Sequence, residues 1–215
     1  MLKLHTYFRS SASYRVRIAL QLKGLTFESI GVHLLREGGA QHSPDYAALN
    51  PTRLVPTLQD GEHTVGQSLA ILEYLEETHP TPALLPPDAP GRARVRALAL
   101  TIACEIHPLN NLRVLQYLTQ ELKIDEAAKT AWYRHWITLG FTALESLLAS
   151  SPETGTFCHG HTPTQADCCL VPQVANARRF DIPLDAFPCI VRIDAACQAL
   201  DAFAQARPEL QPDAA

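Results

Sequence analysis

Arg9-Ser10-Ser11-Ala12-Ser13-Tyr14-Arg15 concentrates more chemistry than any other stretch of this 215-residue chain. A strand-like run at 2–7 precedes it. After it, Val16, Ala19, Leu20 and Lys23 recur at helical spacing, with Gly24 as a stop. A serine pair at a strand-to-helix turn puts hydroxyls and free backbone N–H groups at the positive end of a helix dipole. Such a turn can bind an anion. On this stretch alone, the serines could equally do no more than cap the helix.

Positioning that turn requires a sheet. After the strand at 2–7 and the helix at 12–23, a second strand is expected at 27–34 and a short helical piece near 45–49. Runs at 56–59 and 63–65 flank Asp60-Gly61, a two-residue hairpin signal. From Ser68 the pattern turns helical, with Ile71, Leu72 and Leu75 on one face, and His79-Pro80 ends it. A βαβ unit, a hairpin and a helix describe a small α/β sandwich. Pro80, Pro82, Pro86, Pro87 and Pro90 then mark a linker. Beyond Gly91 the strand signals vanish. Helices are expected at 92–122, interrupted at Pro108, and at 125–149, with Trp132, Trp136, Leu139, Phe141, Leu144 and Leu148 as core candidates. A loop at 150–163 leads to Thr164-Gln165-Ala166-Asp167, a capping-box sequence that opens a helix through Phe180. A last long helix is expected at 187–203, and the tail from Pro208 reads as disordered. The expected boundaries are residues 1–82, a linker at 83–91, and an all-helical domain at 92–215.

Composition narrows the function. A net charge of −4, a pI near 6.1 and no basic run argue against nucleic-acid binding. No apolar run approaches a membrane span, and the N-terminus runs into a strand without a signal-peptide core. The six cysteines form no C-x-x-C, and Cys168 and Cys169 are adjacent, which suits thiols in a reducing cytoplasm. His159-Gly160-His161 reads as a loop rather than a metal site, and no metal is expected.

Taken in order, the motifs resemble those of the soluble glutathione transferases, and within them the zeta class. That class carries a serine pair followed by Cys-x-Trp-Arg-Val-Arg-Ile-Ala; here the stretch is Ser10-Ser11-Ala12-Ser13-Tyr14-Arg15-Val16-Arg17-Ile18-Ala19. Leu49-Asn50-Pro51, Val55-Pro56-Thr57-Leu58, Gln67-Ser68-Leu69-Ala70-Ile71, Glu73-Tyr74-Leu75-Glu76-Glu77 and Leu170-Val171-Pro172-Gln173-Val174-Ala175-Asn176-Ala177-Arg178-Arg179-Phe180 extend the match over nearly the whole chain. The resemblance implies a thioredoxin-like α/β N-terminal domain, an all-α C-terminal domain, glutathione as cofactor, and a homodimer. Two departures stand out: Ala12 replaces the usual cysteine and Tyr14 the usual tryptophan. Any activity here therefore needs no second thiol at that position, and the class's side reactions on haloacids are placed in doubt.

The resemblance also implies roles. A cis bond before Pro56 would turn the Val55 N–H and C=O toward the cysteinyl unit of glutathione, with Gln67 and Ser68 at its γ-glutamyl carboxylate. Arg15 and Gln41 are further glutathione contacts. Ser10 would stabilise the thiolate, with Ser11 as the alternative helix cap. An ordinary thiol is only a few per cent ionised at neutral pH, and lowering its pKa by roughly two units requires about 2.7 kcal/mol. A hydrogen bond to a charged group supplies about 1.5–3 kcal/mol and a helix N-terminus about 0.3–1. One serine is therefore sufficient. Arg9, Arg113 and Arg179 would converge over the sulfur to hold a dicarboxylate, since the guanidinium fork matches carboxylates. His107 and Asn111 match positions that touch glutathione or the partner subunit; a core or interface histidine is the alternative for His107.

The class implies glutathione-dependent cis–trans isomerisation of maleylacetoacetate. Thiolate addition saturates the double bond, the single bond turns, and loss of the thiolate restores the alkene. Arginines would stabilise the charge formed on addition. Its maleylpyruvate branch is expected to carry a second arginine beside Arg113, where Leu112 stands here. A conjugating transferase and a non-catalytic binding protein are the other readings, and retention of Ser10, Arg9 and Arg179 together argues against the latter.

Overall fold

The computed structural model describes residues 1–214. The chain divides into two compact units, one of Met1–Leu84 with Gln198–Ala215 and one of Leu85–Cys197.

In the first unit, β1 (Leu2–Thr6), α1 (Ser11–Leu22), β2 (Phe27–Gly31), α2 (Pro44–Leu49), β3 (Thr57–Asp60), β4 (His63–Gly66) and α3 (Ser68–Thr78) follow the expected order. The sheet runs β2-β1-β3-β4. β1 pairs parallel with β2 and antiparallel with β3, and β3 pairs antiparallel with β4. Leu4 lies opposite Leu58 and both are fully buried. Val16, Ile18, Ala19 and Leu20 of α1, and Ile71, Leu72 and Leu75 of α3, complete this core. Two details differ from the sequence reading, the end of β2 and the hairpin loop. β2 ends at Gly31, with one further bond from Val32 N to Thr6 O at 2.7 Å. Asp60 pairs with His63, so the hairpin loop is Gly61-Glu62, with Gly61 at φ 58°. The bond before Pro56 is cis, as the resemblance implies, and the bond before Pro82 is cis as well. Lys23 is buried at the end of α1. Its Nζ donates to Glu76 Oε2 at 2.8 Å, His79 O at 2.7 Å and Pro82 O at 2.9 Å. A buried lysine is stable when every donor has a partner.

The second unit contains α4 (Ala89–Leu100), a π turn (Thr101–Ile106), a 3-10 turn (His107–Asn110), α5 (Leu112–Gln120), α6 (Glu126–Ala149), α7 (Gln165–Arg179) and α8 (Pro188–Gln198). α4 begins before residue 92 because Asp88 caps it, accepting from Gly91 N at 2.8 Å, and Pro90 sits in its first turn. On α6 the buried positions are Tyr133, Ile137, Phe141, Leu144 and Leu148. Phe141, Leu144 and Leu148 are buried as expected, whereas Leu139 is 55% exposed and Trp132 and Trp136 are half-buried, Tyr133 and Ile137 completing the buried face instead. The capping box forms: Thr164 N donates to Asp167 Oδ2 at 2.8 Å, and Cys158 N donates to Oδ1 at 2.8 Å. Burial pushes the Asp167 carboxyl up, and these hydrogen bonds oppose the shift. Arg94 Nη1 donates to Cys158 O at 2.7 Å and Nη2 to Thr154 Oγ1 at 2.7 Å, pinning the 150–163 loop onto α4.

The C-terminal segment corrects two expectations. The helix expected at 187–203 breaks into α8 and α9 (Asp201–Gln205), because Leu200 is extended at φ −92°, ψ 133°. The tail is not disordered, nor does it belong to the helical domain. Turns at Pro208–Leu210 and Pro212–Ala214 fold into the first unit. The anchors are Arg17 Nε donating to Ala206 O at 3.1 Å and Phe8 N donating to Asp213 Oδ2 at 2.9 Å.

Candidate functional site

Ser10 is the N-cap of α1, at φ −71°, ψ 117°, and its Oγ accepts from Ser13 N at 3.2 Å. Ser11 is instead the first helical residue and is buried. The expectation that Ser11 serves as the cap is therefore corrected. Capping uses a lone pair of the Ser10 oxygen, so its proton can still be donated to an anion. Both roles first weighed as alternatives fit one hydroxyl. Arg9 is exposed, with its guanidinium carbon 5.0 Å from the centroid of the Phe8 ring.

Val55 and Pro56 are buried just ahead of β3. Among the described residues, the Val55 N–H and C=O enter no hydrogen bond. The residues on either side are tightly held. Tyr46 Oη donates to Leu54 O at 2.7 Å and lies 2.9 Å from Thr57 Oγ1. Asn50 Nδ2 donates to Leu54 O at 3.0 Å and Thr57 Oγ1 at 2.9 Å. The Val55 side chain packs with Tyr7, Val32 and Tyr46. A fixed segment with open backbone groups beside a strand can take an extended peptide by backbone pairing. Tyr46 and Asn50 were missed as supports, although Leu49-Asn50-Pro51 was among the matching motifs.

Gln67 is exposed at φ 66°, ψ 115° as the N-cap of α3, with no side-chain capping bond. The first backbone N–H groups of α3 are thus left for another acceptor, and a carboxylate suits them. Ser68 is buried, and its Oγ accepts from Arg15 Nη1 at 3.1 Å. Arg15, 2% exposed, therefore ties the helix that carries Ser10 to the one that Ser68 opens. Its place in the structure is that of a brace between the two helix starts. Gln41 is buried with Nε2 donating to Leu34 O at 3.3 Å. It borders an open cleft of about 620 Å³ lined by His33, Arg36, Glu37 and residues 38–43 other than Gln41.

The remaining candidates belong to the second unit. His107 starts the 3-10 turn and is half-buried. Asn111 caps α5, its Oδ1 accepting from Arg113 N at 3.2 Å, and Arg113 is exposed. Arg179, exposed at the end of α7, lies with its guanidinium carbon 5.1 Å from the Phe180 ring centroid. Phe180 stacks on Tyr133 at 3.7 Å between centroids and 17° between planes. Burial raises the Tyr133 phenol, and the positive charge of Arg179 opposes that shift. Tyr133 and Phe180 thus form an aromatic seat for Arg179 that sequence periodicity alone did not reveal.

Residues 9–78 match the family model described as the glutathione S-transferase N-terminal domain. Over 98% of its length the chain is 54% identical to a probable maleylacetoacetate isomerase of Vibrio cholerae serotype O1, covering 97% of that protein. It is 53% identical to a maleylpyruvate isomerase of a Ralstonia species, with both chains fully covered. The crystal structure of a maleylacetoacetate isomerase from Methylobacterium extorquens AM1, with bound malonate and glutathione, is similar with a TM-score of 0.95. That match has 40% identity and covers 99% of each chain. An anion-ready serine at a helix start, a buried X-Pro edge and a second helix N-terminus thus occur in a sequence that keeps these relatives' length and order throughout, and the chain belongs to the zeta-class glutathione transferases, in the family of glutathione-dependent maleylacetoacetate and maleylpyruvate isomerases.

Proposed function

We propose that the chain isomerises maleylacetoacetate to fumarylacetoacetate with glutathione as a regenerated cofactor. The observation that carries this reading is the Ser10 hydroxyl, which caps α1 through its oxygen and keeps a proton to give. Glutathione fits the first unit: the Val55 N–H and C=O are open for its backbone, and the start of α3 at Gln67 and Ser68 is open for a carboxylate. Gln41 is assigned to its other end. When bound, glutathione supplies a thiolate that adds reversibly to the conjugated alkene. Ser10 holds that sulfur ionised by hydrogen bonding to it. Arg9, Arg113 and Arg179 bind the substrate's carboxylates and stabilise the negative charge that develops on its carbonyl oxygen. His107 and Asn111 are assigned to glutathione on the second unit.

The test follows loss of maleylacetone absorbance with and without glutathione, together with the free-thiol content. Turnover that needs only catalytic glutathione and leaves the thiol intact is expected. Stoichiometric thiol loss would mark a conjugating transferase, and binding without turnover a carrier. Maleylpyruvate is the second reading, favoured by the full-length identity to the Ralstonia isomerase. The ratio of kcat/KM for the two substrates decides between them, and Leu112 beside Arg113 favours maleylacetoacetate.

A homodimer is part of the proposal. Ala93, Ala97, Leu100 and Cys104 are exposed at helical spacing along α4 and the π turn, a stripe suited to a second copy. Sedimentation should give twice the 23.7 kDa chain mass, and Ala97→Arg should shift it to the monomer. Six free cysteines fit a reducing cytoplasm. No described helix is long and apolar enough to cross a membrane.

A further inference from the structure

The loop between β1 and α1 is short, and its geometry is set by Arg17 of α1 together with the C-terminal tail. Phe8 lies two residues before Ser10, and side chains occupy both of its backbone polar groups. Its N–H donates to Asp213 Oδ2 at 2.9 Å, and its C=O accepts from Arg17 Nη2 at 3.0 Å. Tyr7 O accepts from Ser10 N at 2.9 Å and from Arg17 Nη1 at 3.4 Å. Arg17 Nε reaches Ala206 O at 3.1 Å. One buried guanidinium therefore grips the loop and the start of the tail, and the tail returns a carboxylate to the same loop.

The tail is built to place that carboxylate. Gln211 Nε2 donates to Gln205 O at 3.1 Å and to Arg207 O at 2.8 Å, closing the segment on itself. A Cβ added at Gly31 would stand 3.2 Å from Asp213 Cβ, so the absence of a side chain there admits the Pro212–Ala214 turn to the end of β2. Asp213 also compensates the charge of buried Arg17. No hydrogen bond or packing contact of this kind is needed to fold a strand-turn-helix unit. Its effect is to fix the peptide that leads into Arg9 and Ser10.

We propose that Asp213 is a positioning residue for the isomerase: through Phe8 N–H it sets the register of the loop that presents Ser10 to the glutathione sulfur and Arg9 to the substrate. The inference rests on the assignment of Ser10 to the thiol. A group held within about 1 Å of its productive place can lose roughly a hundredfold in rate when displaced. An acceptor of the right shape at position 213 suffices to hold Phe8 N–H, whereas the negative charge is not itself required.

The experiment compares Asp213→Ala, Asp213→Asn, a chain ending at Gln211, and Ser10→Ala. It uses steady-state turnover of maleylacetone and ultraviolet titration of the thiolate of bound glutathione, with circular dichroism and melting curves as the folding control. Asp213→Ala and the shortened chain are expected to lose roughly tenfold to a hundredfold in kcat, with KM for glutathione within about threefold. Their bound thiol should titrate at higher pH. Asp213→Asn should return kcat to within about threefold of the parent, because its amide oxygen still accepts from Phe8 N–H. A raised thiol pKa in Ser10→Ala, with none in a folded Asp213→Ala, overturns the inference and leaves the Ser10 assignment standing. An unchanged thiol pKa in both overturns the Ser10 assignment and the inference with it. Failure of Asp213→Asn to restore turnover removes the hydrogen bond as the cause.

Discussion

Ser10 Oγ accepts the backbone N–H of Ser13 at 3.2 Å, so the hydroxyl oxygen is committed to the helix while its hydrogen is not. Two functions of one side chain can therefore be separated by substitution. Ser10→Asp keeps a good helix cap but at neutral pH has no proton to donate and places a negative charge beside the sulfur. Ser10→Ala loses both functions. Melting curves should show Ser10→Asp close to the parent and Ser10→Ala lower by about 1 kcal/mol. Both should lose roughly tenfold to a hundredfold in turnover at pH 7, with the rise in kcat/KM moved to higher pH. Ser11→Ala should cost less than Ser10→Ala in stability and in turnover. A folded Ser10→Asp enzyme with parental activity would remove Ser10 from the chemistry.

The peptide edge yields a second prediction. Tyr46 and Asn50 hold the same two groups, Leu54 O and Thr57 Oγ1, one on each side of Val55-Pro56: both donate to the carbonyl, Asn50 donates to the hydroxyl, and that hydroxyl is left to donate to Tyr46 Oη. Asn50→Ala leaves Tyr46 alone to fix that segment. KM for glutathione should rise by roughly tenfold, the scale of one lost buried hydrogen bond, while the apparent pKa of the bound thiol stays put. Glutathione affinity by calorimetry and the pH profile of kcat together check it. A shifted pH profile with unchanged affinity would assign Asn50 to the sulfur rather than to the peptide edge.

Much of this was legible along the chain because its causes are local. The strand at the N-terminus, the start of α1, the α3 face of Ile71, Leu72 and Leu75, and the Thr164-to-Asp167 capping box depend on spacings of a few residues. The cis bond before Pro56 and the family came from motif order, which periodicity could not supply. The rest depends on partners far away in sequence. Arg17 meets Ala206 across 189 residues and Phe8 meets Asp213 across 205, so a polar tail with two prolines gave no sign of its dock. The three acceptors that make buried Lys23 stable likewise lie more than 50 residues away, beyond any local pattern. On α6, Phe141, Leu144 and Leu148 were legible as core, but the two tryptophans stood in for Tyr133 and Ile137, which complete the buried face.

Lys23 and Glu76 yield a stability prediction. Their side chains are 0% and 7% exposed, and Glu76 Oε2 also accepts from Leu84 N at 2.9 Å. Lys23→Met strips Glu76 of its cation and leaves the His79 and Pro82 carbonyls short of a donor. Breaking a buried pair from one side costs about 3–5 kcal/mol. The denaturation midpoint of Lys23→Met should fall by an amount on that scale, while the Lys23→Met, Glu76→Met double variant should recover part of the loss. A single variant within 1 kcal/mol of the parent would show that the pair contributes little (compare surface pairs at about 0–1 kcal/mol).

Arg179 is held by its seat rather than by an acid. Its guanidinium lies over Phe180, which stacks on Tyr133, and its charge opposes the upward shift of the Tyr133 phenol. That arrangement leaves the guanidinium's charge for an anionic ligand and fixes the plane of its fork. Arg179→Ala should raise KM for a dicarboxylate roughly tenfold to a hundredfold, with KM for glutathione nearly unchanged. Arg179→Lys should recover only part, because an ammonium has neither the parallel donors nor the same stacking on an aromatic face. Tyr133→Phe keeps the stack and removes only the phenol hydroxyl, so its effect should be smaller than that of Arg179→Ala and fall on the same kinetic constant. Steady-state kinetics in both substrates, with circular dichroism for folding, check the series. Unchanged dicarboxylate kinetics in a folded Arg179→Ala protein would place Arg179 outside the site and leave Arg9 and Arg113 to bind the carboxylates.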